Sequence, residues 1–172
     1  RLGRERHLHS AARGNARGPR EGRAVLVTSE LPDYHLLRPN AVAIPIQLRN
    51  GKRLTTRDAK ATRDLFGDDL GDEQPIANLS KTARDYLASL HVGKLDGNAA
   101  RSELVWMHAL AIGHAPAYLR EHSAGISQDW PHIPLPAKRA QLEASAALGR
   151  QLAVLLDTER PAAGVGAGKT RP

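Results

Sequence analysis

Between positions 126 and 136 the chain reads ISQDWPHIPLP, with Pro131, Pro134 and Pro136 falling within six residues. Proline fixes φ and has no N–H to donate, so this stretch has no room for a helix or for a central strand. It must run as a stiff strap between whatever lies on either side. Trp130, Ile133 and Leu135 are expected to pin it to its neighbours, with Pro131 and Pro134 holding its path at low entropic cost.

The flanking stretches are helical in pattern. NLSKTARDYLASLHV puts Ala83, Tyr86, Leu87 and Leu90 on one face, preceded by Asn78 and Ser80 as candidate N-caps. SELVWMHALAI is apolar nearly all round and is expected to be a buried central helix, with HAPAYLREH resuming after Gly113 and Pro116 as a kinked continuation. A last helix is expected from about Pro136 to Asp157. Its stripe of Leu142, Ala146, Gly149, Leu152 and Leu156 has small residues in the middle, which suits close approach to another helix. Trp106 and Tyr118 join Trp130, Pro131 and Pro134 as structural anchors.

The first third is patterned differently. RAVLVTSE is β-rich, and AVAIPIQL alternates, placing Val42, Ile44, Ile46 and Leu48 on one face of a half-buried strand. Pro45 suits an edge position or a bulge. Asn50–Gly51 supplies the residues of a tight type I′ hairpin. Residues 55–74 are read as a loop with a helical piece near RDAKATRDLF. Strands followed by helices give an α+β class: a short β-hairpin region, then a mainly helical bundle with a proline-rich strap. At 172 residues the chain suits one domain.

The net charge of +7 is unevenly spread, since residues 1–23 hold seven arginines against Glu5 and Glu21. Residues 1–22 are read as a disordered basic tail, with a nucleic-acid-binding arm as the alternative. Residues 161–172 are read as a second flexible tail. With no cysteine, a metal would need His, Asp and Glu alone. No run is long and apolar enough to cross a bilayer, and no secretory leader is visible, so the expectation is a cytoplasmic protein without a membrane partner.

Several apparent motifs fail on inspection. AGVGAGKT has Ala163 where a phosphate-binding loop needs glycine, no strand before it, and two residues after Thr170, so nucleotide binding is not expected. His108 and His114 lie roughly 240° apart around a helix, and Pro116 intervenes before His122, so no metal site is expected. Asp33 and His35, with Ser29 nearby, could orient a general base, but adjacent side chains on an extended segment point apart, and a turn after Pro32 is the simpler reading. Better placed are Arg38, Arg49, Lys52 and Arg53, clustered about the expected hairpin, from which they could reach phosphates or base edges.

Three stretches, NLSKTARDYLASL (78–90), LVWMHALAIGHAPAYLREHSAGISQDWPHIPLP (104–136) and ASAALGRQLAVLLDTERP (144–161), resemble the C-terminal specificity region of type I single-polypeptide (type ISP) restriction-modification enzymes. LPDYHLLRPNAVAIPIQL (31–48) is similar more loosely. The full-length proteins of that family join nuclease, translocase, N6-adenine methyltransferase and target recognition. The resemblance implies a specificity-type domain over 23–160, with strands in 23–55 and helices in 78–157, and methyltransferase and translocase domains of a longer chain as partners; weak duplex DNA binding is expected through the hairpin cations Arg38, Arg49, Lys52 and Arg53. No Asn-Pro-Pro-Tyr motif, cofactor glycine loop, helicase motif or nuclease set is found, so neither cofactor nor catalysis is expected on this chain. The family's opening Phe-Asp strand motif is absent too, and the chain is read as a fragment. Two functions follow as expectations: a non-catalytic target-recognition module, or a scaffold that docks a methyltransferase domain without reading DNA.

Overall fold

The computed structural model describes residues 7–10, 25–28, 42–48, 74–128 and 130–157. The strands are β1 (His7–Ser10), β2 (Val25–Thr28), β3 (Val42–Pro45), β4 (Gln47–Leu48) and β5 (Ile76–Ala77). The helices are α1 (Lys81–Ser89), α2 (Ala99–Ser102), α3 (Leu104–His114), α4 (Pro116–Glu121), α5 (Ser123–Gln128) and α6 (Arg139–Leu156). Strands precede helices, so the class is α+β.

The core is the pairing of α3 with α6. Leu104, Met107 and Leu110 of α3 meet Leu142, Ala146 and Ala153 of α6, all buried. The small middle of the α6 stripe sets the spacing, because a Cβ built on Gly149 would lie 1.9 Å from the backbone oxygen of Met107. Backbone meets backbone there, and only glycine fits. Arg150 Nε donates to Glu103 Oε1 at 2.7 Å and ties the same two helices at their rim.

Two of the smaller helices have readable boundaries. Ser80 caps α1, its Oγ accepting from the Ala83 amide. At the other end the Val92 amide bonds the Leu87 carbonyl and the His91 amide bonds that of Ala88, a Schellman closure with His91 in the left-handed position at φ 58°. Val92 and Leu87 are both buried in the core, as that motif's hydrophobic contact requires. Pro116 occupies the first turn of α4, where its missing N–H costs nothing.

The sheet departs from expectation in two places. The order is β2-β1-β3, all antiparallel, so His7–Ser10 form the central strand. The reading of 1–22 as an unstructured tail therefore fails for these residues. HLHS carries one aliphatic among arginines and glycines, and its strand state comes from two ladder partners rather than from local pattern. Residues 42–48 also do not form one strand. The chain bends at Ile46; β3 pairs with β1 while β4 pairs with β5, in register Gln47 with Ala77 and Leu48 with Ile76. Proline at 45 ends the ladder on an edge strand, and the Asn78 side chain seals the bend by donating to the Pro45 carbonyl at 2.7 Å. Ile46 turns into the core while Leu48 stays exposed, so the expected common face is broken. On β2, Val25 and Val27 are buried, and Val25 packs against Gly113 of α3.

The strap starts later than its sequence suggests. Ile126–Gln128 complete α5, because proline bars a helix only from the residues next to Pro131 onward. From Trp130 to Pro136 the chain has no regular secondary structure, and alternate carbonyls are captured from three helices. Tyr118 of α4 donates to His132 O at 3.0 Å, His108 of α3 bonds Pro134 O at 2.9 Å, and Tyr86 of α1 donates to Pro136 O at 2.8 Å. Leu135 is 47% exposed, while Trp130, Pro131 and Ile133 are half-buried. The Pro134 ring is exposed; its carbonyl is the anchor. Trp106 packs at the edge of the core, with its indole N–H enclosed and unpartnered.

Candidate nucleic-acid interface

Arg38, Arg49, Lys52 and Arg53, with the expected Asn50–Gly51 turn, lie outside the described residues. What the structure gives is the root from which residues 49–75 depart. β4 ends at Leu48 directly opposite Ile76 of β5, so that segment leaves and returns side by side on a two-stranded ribbon. A basic stretch from Arg49 to Arg63 fills its first half and an acidic one from Asp64 to Glu73 its second.

The root is fixed by side chains from elsewhere in the chain. Gln47 Nε2 donates to the buried Ser102 hydroxyl of α2 at 2.9 Å. The Ala77 amide donates to Asp96 Oδ1 at 2.8 Å, and the Ala77 carbonyl accepts from Arg84 Nη2 at 2.7 Å. Arg84 closes the ring with a two-pronged grip on Asp96, at 2.9 and 3.2 Å. The Arg84 guanidinium and then the Ala77 amide hold the Asp96 carboxyl below its usual range, and the same pairing raises Arg84. Gly97, at φ 71°, adds a bond from its amide to the Pro75 carbonyl, again on the returning arm.

None of these fixtures stands out in the sequence as functional. Asn78 and Tyr86 belong to the NLSKTARDYLASL stretch, but their bonds to Pro45 and Pro136 span 33 and 50 residues. Burial pushes the phenols of Tyr86 and Tyr118 up, as expected for hydroxyls committed to donating. The histidines are used one at a time: His108 bridges Ser145 and the strap, and His114 bonds the Val25 carbonyl of β2. Among the described residues no cluster of three or more His, Asp or Glu side chains could hold a metal. None of the described helices is long and apolar enough to cross a membrane.

Residues 12–170 match the family described as the type ISP C-terminal specificity domain. The match takes in 12–22 and 161–170, which composition alone reads as tails. No curated protein sequence matches. Among solved structures the fold is similar to a chain in a cryo-EM structure of a DrdV–DNA complex, with a TM-score of 0.55 at 19% identity, covering 90% of this chain and 12% of that one. The present chain thus corresponds to a small part of the length of that protein, and at this identity the similarity concerns the fold. With the family match running through β2 to β5, the helical core and the strap, the chain belongs to the type ISP C-terminal specificity domain family.

Proposed function

We propose that this chain is a DNA target-recognition module that carries no catalysis of its own and acts beside the methyltransferase and translocase domains of a longer chain. The family match over 12–170 carries this reading. It is supported by the basic residues between Arg49 and Arg63, in the segment whose ends are joined at β4 and β5, since such cations can reach phosphates and base edges. In this reading Arg49, Lys52 and Arg53, with Arg38, supply the contacts.

The test is selection from a random duplex pool at low and moderate salt, comparing the chain with a variant in which these four cations are glutamine. Enrichment of a sequence subset that the variant loses supports the reading, and absence of enrichment refutes it. The arginines ahead of β1 are tested by removing residues 1–6, because a cut at residue 22 would also delete the central strand. That removal should weaken all duplexes alike, as flexible cations neutralise phosphates without holding a register.

A docking scaffold is the second reading. It is favoured by the outer side of α6, where Leu148, Val154 and Leu155 are 57%, 45% and 59% exposed. A chain that binds no duplex at low salt would favour it.

A further inference from the structure

Eight lysines and arginines lie among the described residues, and four of them are paired: Lys81 with Asp85, Arg84 with Asp96, Arg139 with Glu143 and Arg150 with Glu103. Of the other four, three meet at one corner. Arg101 of α2 donates from Nη1 to the Gly93 carbonyl at 2.8 Å, and Arg139 of α6 donates from Nη1 to the His91 carbonyl at 3.2 Å. Two guanidinium groups from different helices therefore grip carbonyls two residues apart. Lys94 follows directly in that loop, and Lys138 directly precedes Arg139. His91, Gly93, Lys94, Arg101, Lys138 and Arg139 are all exposed. Glu143 offsets one of the four permanent charges, which leaves the corner strongly positive.

The corner also borders the ribbon root. Arg101 is next to Ser102, which holds Gln47 of β4, and Asp96, which holds Ala77 of β5, is two residues beyond Lys94, within about 7 Å along the chain. Lys94 sits in a left-handed conformation at φ 52°, a position where glycine would cost less. Gly93 adds no side chain, and a Cβ there would meet nothing within 4 Å, so a polyanion can approach the backbone.

We propose that this corner is a second DNA contact, a sequence-blind clamp on the phosphate backbone that sets the register of the segment rooted beside it. It rests on the DNA-reading function proposed above. Phosphate contacts position a protein while base contacts specify, so the clamp and the ribbon segment divide those tasks.

The experiment uses the full chain and a random-sequence duplex, with binding measured across a salt series. Lys94→Gly relieves the left-handed backbone, and Lys138 makes no side-chain capping bond to α6, so the double variant Lys94→Gly, Lys138→Gln should fold as the parent does. Each lost phosphate contact should flatten the slope of log Kobs against log[salt] by about 0.9, so the double variant should lose between about 1 and 2 from it. The affinity loss should be the same for every duplex sequence. A charge-matched control, Lys81→Gln with Arg120→Gln, should keep the parental slope. A parent that binds while the corner variant keeps the parental slope, or falls no further than the control, overturns the clamp and leaves the recognition function standing. A parent that binds no duplex at low salt overturns both.

Discussion

Replacing Gly149 with alanine should destabilise the protein although alanine is the better helix former. The added methyl would sit 1.9 Å from Met107 O and 2.6 Å from Met107 C, against a backbone that cannot swing aside as a side chain tip could. Reaching ordinary contact near 3.4 Å requires α3 and α6 to part by about 1.5 Å, which loosens the packing of Leu142 and Ala146 against α3. Overpacking of this kind costs about 1–3 kcal/mol and occasionally more, while alanine returns about 1 kcal/mol of helix propensity. Because the clash is with main chain, the upper part of that range applies, and a net loss of about 2 kcal/mol is expected. Gly125 of α5 is the internal comparison: a Cβ there meets nothing within 4 Å, so Gly125→Ala should be neutral or stabilise by up to about 1 kcal/mol. Urea midpoints of the three proteins, with m-values to confirm a common unfolding reaction, make the measurement. A Gly149→Ala protein as stable as the parent would refute the close approach of the two helices.

His108→Phe leaves the Pro134 carbonyl without its donor and should cost about 1–3 kcal/mol by denaturant titration. His91→Gly should stabilise by roughly 0.5–1 kcal/mol, since glycine takes the left-handed closing position of α1 without strain and the bond from Arg139 goes to the backbone; a lowered melting temperature would contradict this. The Asp96 carboxyl is depressed in the folded state, so its stabilising effect is complete above the unfolded value of 3.8 and fades as pH falls through the folded value. The stability gap between the parent and Asp96→Asn should accordingly be open at neutral pH and close in strong acid. Incubated with duplex DNA and a labelled methyl donor, the isolated chain should incorporate label at the no-protein level, and reproducible adenine methylation would overturn the non-catalytic reading.

The helical half was legible because its signals are local. The stripe through Leu142, Ala146 and Gly149, the cap at Ser80 and the restart at Pro116 each depend on residues within two turns. The strap was legible as a rigid connection, but its attachment was not. Trp130 and Leu135 drew attention as apolar groups, and no local signal marked the grip that Tyr86, His108 and Tyr118 take on backbone carbonyls 50, 26 and 14 residues away. The strand at His7–Ser10 was hidden for a related reason, since its stability lies in pairing with residues 25–28 and 42–45 rather than in its composition. For the candidate interface, charge marked Arg49, Lys52 and Arg53, but the two-residue strand Ile76–Ala77 that closes their segment is too short to show a period.

That closure bears on how such a domain can diversify. Because residues 48 and 76 are held opposite one another, the ends of the segment between them are already joined by the fold. Doubling the length of a flexible loop adds only about 0.6 kcal/mol of closure entropy, so the core registers little of what is inserted there. Segments of different length and charge order could be exchanged at this one point while Asn78, Arg84, Asp96 and Ser102 stay as they are. The ribbon root is thus a graft site: if the segment makes the proposed DNA contacts, one cassette could be swapped there without redesigning the helices that carry it.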